Sequence, residues 1–121
     1  MPAAKLNLSI EQGATFKHVL KLLQPALPGQ TALPVDLGGY SARMQLRAEL
    51  PSAAAIIELS SSNGRIVLTP ATGQLQLQLT ASETAALSFE AAVYDLEITS
   101  AGGEVIRVLQ GNVTLSLEVT R

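Results

Sequence analysis

Apolar and polar positions alternate with a period of two along most of this chain, the spacing of strands with one dry and one wet face. Leu6, Leu8 and Ile10 alternate with Asn7, Ser9 and Glu11 in a first short strand that ends at Gly13. Residues 14–23 place Phe16, His18, Leu20 and Leu22 on one face and Thr15, Lys17, Val19, Lys21 and Leu23 on the other. Phe16, Leu20 and Leu23 also fit a helical period, but Gly13 and the prolines that follow favour a strand. Next, Tyr40, Ala42, Met44, Leu46 and Ala48 face in while Ser41, Arg43, Gln45 and Arg47 face out, until Pro51 ends the run. Residues 53–55 could open a helix or a strand; Ile56, Ile57, Glu58 and Leu59 favour a strand. An Asn63-Gly64 turn leads into a short strand over residues 65–69, broken by Pro70 and Gly73. Leu75, Leu77 and Leu79 then alternate with Gln74, Gln76 and Gln78.

Thr80 followed by Glu83 has the spacing of a capping box and predicts a turn of helix reaching Leu87. Tyr94, Leu96 and Ile98 alternate with Asp95, Glu97 and Thr99, and Ala101-Gly102-Gly103 supplies the tip of a hairpin. The return strand covers residues 104–109. A last run carries Val113, Leu115, Leu117 and Val119 inward. About nine short strands at regular spacing, with one helical crossover, predict an all-β fold: a single immunoglobulin-like antiparallel β-sandwich spanning residues 1–121. Tyr94 opens the penultimate strand just after the crossover. It is placed either to bond back to that connection, as tyrosines do in such sandwiches, or to serve as a core aromatic.

Composition narrows the function. Hydrophobic residues make up 47%, aromatics 3% and charged residues 15% of the 121 residues, so the core is aliphatic and the surface carries few charges. A surface partly covered by partners explains this, as does solvation by Ser, Thr and Gln. The net charge is −2 with no basic cluster, which argues against nucleic acid. There is no cysteine for a disulfide or thiolate site. Residues 1–5 are followed by no apolar core of signal-peptide length, and no apolar run reaches the roughly 20 residues needed to span a bilayer. A chain made in the cytoplasm, with no membrane partner, is expected.

Few residues offer chemistry. His18 is the single histidine, and its neighbours Lys17, Val19 and Lys21 bring no carboxylate. Asp95 and Glu97 share a strand face and are expected to be solvated and to pair with Arg107 across the hairpin. Asp36 is expected to cap the turn at Leu37-Gly38-Gly39. Neither Gly38-Gly39 nor Gly102-Gly103 sits before a helix with a lysine to reach a phosphate. Asn112-Val113-Thr114 matches a glycosylation acceptor, which a cytoplasmic chain would not use. No catalytic residue, metal, cofactor or small-molecule substrate is expected, and the absence of tryptophan argues against a sugar platform.

Residues 24–34 break the cadence. Three prolines and Gly29 in 11 residues preclude regular structure and predict a long surface loop. Leu27, Pro28, Leu33 and Pro34 are the candidate partner-contact residues. The other reading is that this loop folds over its own sandwich edge and caps it.

Three segments carry a family resemblance. Ile10-Glu11-Gln12-Gly13-Ala14-Thr15-Phe16, the stretch Asp36-Leu37-Gly38-Gly39-Tyr40-Ser41-Ala42-Arg43-Met44-Gln45-Leu46-Arg47, and the run from Val93-Tyr94-Asp95-Leu96 to Gly111-Asn112-Val113-Thr114 together resemble small β-sandwich virion proteins of tailed bacteriophages and prophages. The nearest class is the immunoglobulin-like N-terminal module of baseplate upper proteins. The resemblance implies a non-catalytic structural protein of the tail or baseplate region, docking rigidly onto other virion proteins and onto copies of itself. Its localisation would be the virion. A capsid decoration or cement protein is the alternative, and a carbohydrate-binding module a further one. The sequence runs out at its last strand, with no stalk or receptor-binding module, which tells against a direct fibre role.

Overall fold

The computed structural model describes residues 3–24 and 26–120. Its strands are β1 (Ala4–Lys5), β2 (Leu8–Glu11), β3 (Phe16–Lys21), β4 (Ser41–Arg47), β5 (Ile57–Ser60), β6 (Ile66–Thr69), β7 (Gln74–Leu79), β8 (Ala91–Thr99) and β9 (Val105–Ser116), with one α-helix, α1 (Ala81–Ala85), and a 3₁₀ turn at Pro70–Thr72. They form two sheets. The larger runs β1-β9-β8-β4-β5, with β2 also on β9; the smaller runs β3-β7-β6. The chain changes sheet between β2 and β3, β3 and β4, β5 and β6, and β7 and β8, the last time through α1. That is an all-β sandwich with immunoglobulin-like strand order and one short helix.

The inward rows meet in one aliphatic core. Met44 and Leu46 from β4, Leu96 and Ile98 from β8, and Val113 and Leu115 from β9 face Leu75, Leu77 and Leu79 from β7. Alternation drives this arrangement, because register fixes which row is dry and a one-residue slip would turn leucines out and glutamines in. The β3 run is a strand, with Phe16, His18 and Leu20 half-buried and Lys17, Val19 and Lys21 exposed. Residues 53–55 belong to neither helix nor strand. Ala48, expected inward, lies exposed beyond the end of β4.

The last two expected strands are one. β9 runs unbroken through 12 residues, with a bulge opposite Leu96 and Glu97: Leu96 pairs with Leu109, but Glu97 pairs with Arg107. Val108 is the extra residue, and it moves the inward row from Ile106 to Leu109, Val113 and Leu115. β9 then ends at Ser116. Leu117 and Val119 are not inward but 65% and 94% exposed.

β8 and β9 are antiparallel, as are all pairs except those made by β1 and β2, which run parallel to β9. Ala4 pairs with Leu109 and Leu8 with Val113, so both share one register and form a single strand broken at Leu6–Asn7. The cause of the break is visible. Opposite Gly111, an unbroken parallel ladder would use the Leu6 N–H on Gln110 and the Leu6 carbonyl on the Asn112 N–H. Leu6 makes the first bond (2.9 Å), but its carbonyl turns to accept the Tyr94 hydroxyl at 2.6 Å. Asn7 Oδ1 takes the vacated role and accepts the Asn112 N–H at 3.1 Å. Gly111 makes this possible, since a Cβ there would run into the Leu6 carbonyl. Tyr94 is therefore a buried aromatic whose hydroxyl holds the first strand rather than the α1 connection.

Two outcomes test this architecture. Leu96→Ala, at a fully buried site, should cost about 2–5 kcal/mol, while Glu97→Ala on the wet face should cost about 0.5 kcal/mol or less; urea unfolding of the two variants checks it. Burial pushes the Tyr94 phenol up to about 12. A phenol whose folded value lies above its unfolded one contributes stability below pH ~10 that is lost as pH rises toward 12. Tyr94→Phe should cost about 1–3 kcal/mol near neutral pH and remove that part of the alkaline decline, read from chemical unfolding between pH 8 and 11.5.

Candidate functional site

The segment at 24–34 is an arm. Leu23 bridges to Pro34, Gln24 N–H donates to Leu33 (2.7 Å), and Gln24 Nε2 donates to the Pro34 carbonyl (3.2 Å). A turn at Pro28-Gly29, closed by Gln30 N–H on Leu27 (3.0 Å), forms the tip, with Gly29 at φ +83°. Leu27 and Leu33 are 69% and 64% exposed, Pro28 is exposed and Pro34 half-buried at the base. The leucines therefore do not cap the arm's own sandwich edge. Pro25 lies outside the described residues.

The base of the arm is rigidly tied. Leu22 N–H donates to Gly73 (2.8 Å), Val35 N–H to Leu22 (3.0 Å), and Leu37 N–H to Pro70 (3.1 Å). Gly73 sits at φ +67°, and a Cβ there would press on the Leu22 and Val35 carbonyls. Asp36 Oδ1 accepts the Gly38 N–H at 2.9 Å and caps the turn. The candidate contact residues thus stand together on one projection from a fixed root.

A shallow trough of about 560 Å³ lies on the outer face of the larger sheet, lined by Gln45, Arg47, Asp95, Glu97, Arg107 and Asn112 among others. Of its charged side chains Lys5, Arg47, Asp95, Glu97 and Arg107, one pair meets within ion-pair distance. Arg107 reaches Asp95 at 3.5 Å, although its register partner is Glu97, and Arg47 donates to Gln45 at 2.7 Å. Beside it Arg43 bonds Glu58, which holds the Glu58 carboxyl below the usual carboxylate range, with Gln45 adding a second donor. His18 lies on β3 opposite Leu77. Among the described residues no three histidines or carboxylates cluster where a metal could bind, and no helix is long and apolar enough to cross a membrane.

Two polar residues that the pattern of the chain does not single out hold the opposite end. Buried Thr84 on α1 donates to the Ala14 carbonyl (2.8 Å) and accepts the Gly13 N–H (3.0 Å). Gln12 donates to the Leu87 carbonyl (2.8 Å) and accepts the Glu118 N–H (2.9 Å). The capping box forms as its spacing implies, and Glu83 also takes Arg65 at 2.5 Å. The Thr80 N–H first, and Arg65 second, keep the Glu83 carboxyl below the ordinary range.

The arm's tip and root should respond oppositely to mutation. Leu27→Ser with Leu33→Ser should shift stability by no more than about 0.5 kcal/mol, whereas Gly73→Ala should destabilise by about 2 kcal/mol or more; thermal and urea unfolding of both variants checks this.

No protein-family model matches the chain, and no curated protein matches it in sequence.

Proposed function

We propose that this chain is a non-catalytic structural protein of a tailed-phage particle, in the tail or baseplate region, that works by rigid protein–protein docking. The observation that carries the reading is the arm: two exposed leucines held on a proline-bearing hairpin whose root is bonded into the sandwich. A loop already restricted by proline and by its own hydrogen bonds loses little conformational entropy on docking. The immunoglobulin-like strand order and the resemblance of the three segments to virion proteins support the same reading.

The test is replacement of residues 25–33 by a glycine-serine linker of equal length. The purified variant should keep its melting temperature and fail to enter assembled particles in a complementation assay. Normal incorporation would overturn the docking role of the arm. Recovery of the wild-type chain with heads rather than tails after fractionation would move it to the capsid as a decoration protein.

A further inference from the structure

Two incomplete parts of the molecule fit one another. The first is the open edge of β3, which pairs only with β7. The first strand lies in the larger sheet, so among the described residues no strand pairs with this edge, and the inward residues Phe16, His18 and Leu20 stay half-buried while those of β7 are fully buried. On its wet face β3 carries Lys17 and Lys21, opposite Gln78 and Gln74, with no acidic partner within ion-pair distance among the described residues. The second is the segment Leu117-Glu118-Val119-Thr120. It continues the strand alternation of β9 yet belongs to no sheet and leaves both apolar side chains in solvent.

We propose that residues 117–120 of one copy add as an antiparallel strand to the β3 edge of a second copy. Leu117 then lies against Leu22, Glu118 against Lys21, Val119 against Leu20 and Thr120 against Val19. Opposed residues of an antiparallel pair share a face, so both apolar side chains cover the half-open inner row while the carboxylate meets a lysine. Charge selects this edge over the others. The wet face of β5 carries Glu58, already taken by Arg43; the first strand carries Glu11 as well as Lys5, is broken at Leu6–Asn7, and its inner residues Leu8 and Ile10 are already buried, so it has no half-open row to cover. The wet face of β6 offers Val67 and no cation within the strand. Within its own copy the Glu118 N–H donates to Gln12 Oε1 and the carboxylate lies against Gly13, ahead of β3; the contact is therefore made between copies and exchanges that Gln12 bond for pairing with Lys21. It is heterologous, one copy's tail on the next copy's edge, and propagates into a ring or an open row. Four residues bury far less than the roughly 1,200 Å² of a stable interface, so the contact is weak in isolation and gains strength when a ring closes. This inference stands apart from the virion reading, since it concerns only how copies of the chain meet.

Because the chain has no cysteine, a disulfide trap reports the contact directly. Thr120→Cys is mixed with a mass-tagged Val19→Cys, leaving Glu118 and Lys21 in place, and the mixed dimer is measured at high protein concentration under mild oxidation. Its yield should exceed that of Thr120→Cys mixed with Ser9→Cys by about tenfold or more. Glu118→Lys should bring it down to that control, and adding Lys21→Glu on the partner should restore it. Equal yields for the two mixtures, or a yield unmoved by Glu118→Lys, would overturn the proposal. Circular dichroism of each variant verifies folding; Ser9, Val19, Lys21 and Thr120 are exposed, and because Glu118 is half-buried against Gly13, rescue by Lys21→Glu separates the charge effect from loss of that contact.

Discussion

The turn of one carbonyl governs how this sandwich closes. Leu6 C=O leaves the ladder it would otherwise complete and points inward to the Tyr94 hydroxyl, over the space that Gly111 leaves open. A buried phenol without a partner would cost about 1–3 kcal/mol, and so would a buried carbonyl; each satisfies the other. Asn7 then repairs the ladder with its side chain, so the Asn112 N–H on β9 keeps an acceptor. Three residue choices far apart in sequence therefore hold the first strand against β9. In a chain with two tyrosines and no tryptophan, one of the few large aromatics is committed to this task.

Where that strand sits decides what the rest of the surface looks like. Fixed parallel to β9, it completes the larger sheet and leaves the smaller one with three strands and an uncovered β3 edge. The chain then needs other means to hold the sheets in register at their ends. At one end Thr84 and Gln12 tie α1, the β2–β3 turn and the segment after β9 through four hydrogen bonds of 2.8–3.0 Å. At the other, Gly73 accepts close backbone approach and anchors both sides of the arm. The aliphatic middle supplies the bulk of the burial; these polar clasps make the arrangement specific, because each is satisfied only in this register.

Much of the fold was legible in the chain because period-two alternation reports burial directly. The leucine-glutamine run of β7, the inward rows of β4 and β8, the capping box and the hairpin tip all follow from local pattern and local turn chemistry. What was not legible depends on partners distant in sequence. The bulge at Val108 changes the phase of β9, so one strand reads as two. Leu117 and Val119 keep the alternation of β9 after its neighbours have ended, as Ala48 does for β4 beyond the end of β5, and a pattern cannot show where its partner stops. Tyr94 could be placed in the penultimate strand, but its hydroxyl partner lies 88 residues away. At the candidate site, proline spacing marked the segment as irregular, and its leucines lie exposed. The rigid root needed Gly73, whose role comes from backbone approach and has no motif.

The distribution of charge constrains how such a protein can find anything. Arg43, Arg65 and Arg107 are each paired with a carboxylate of their own chain, and the overall charge is only −2. Long-range steering is correspondingly weak, so encounters of this chain proceed near the unassisted rate and depend little on salt. Selectivity must then reside in what happens after contact: whether a partner offers a pocket for a fixed pair of leucines, or an edge whose lysines and half-open apolar row match an incoming strand. Both features are short, and neither would hold alone at low concentration. In the docking role proposed above, that is the expected economy of a repeated particle, where many individually weak contacts of one geometry add through effective concentration and misplaced copies dissociate before they are locked in.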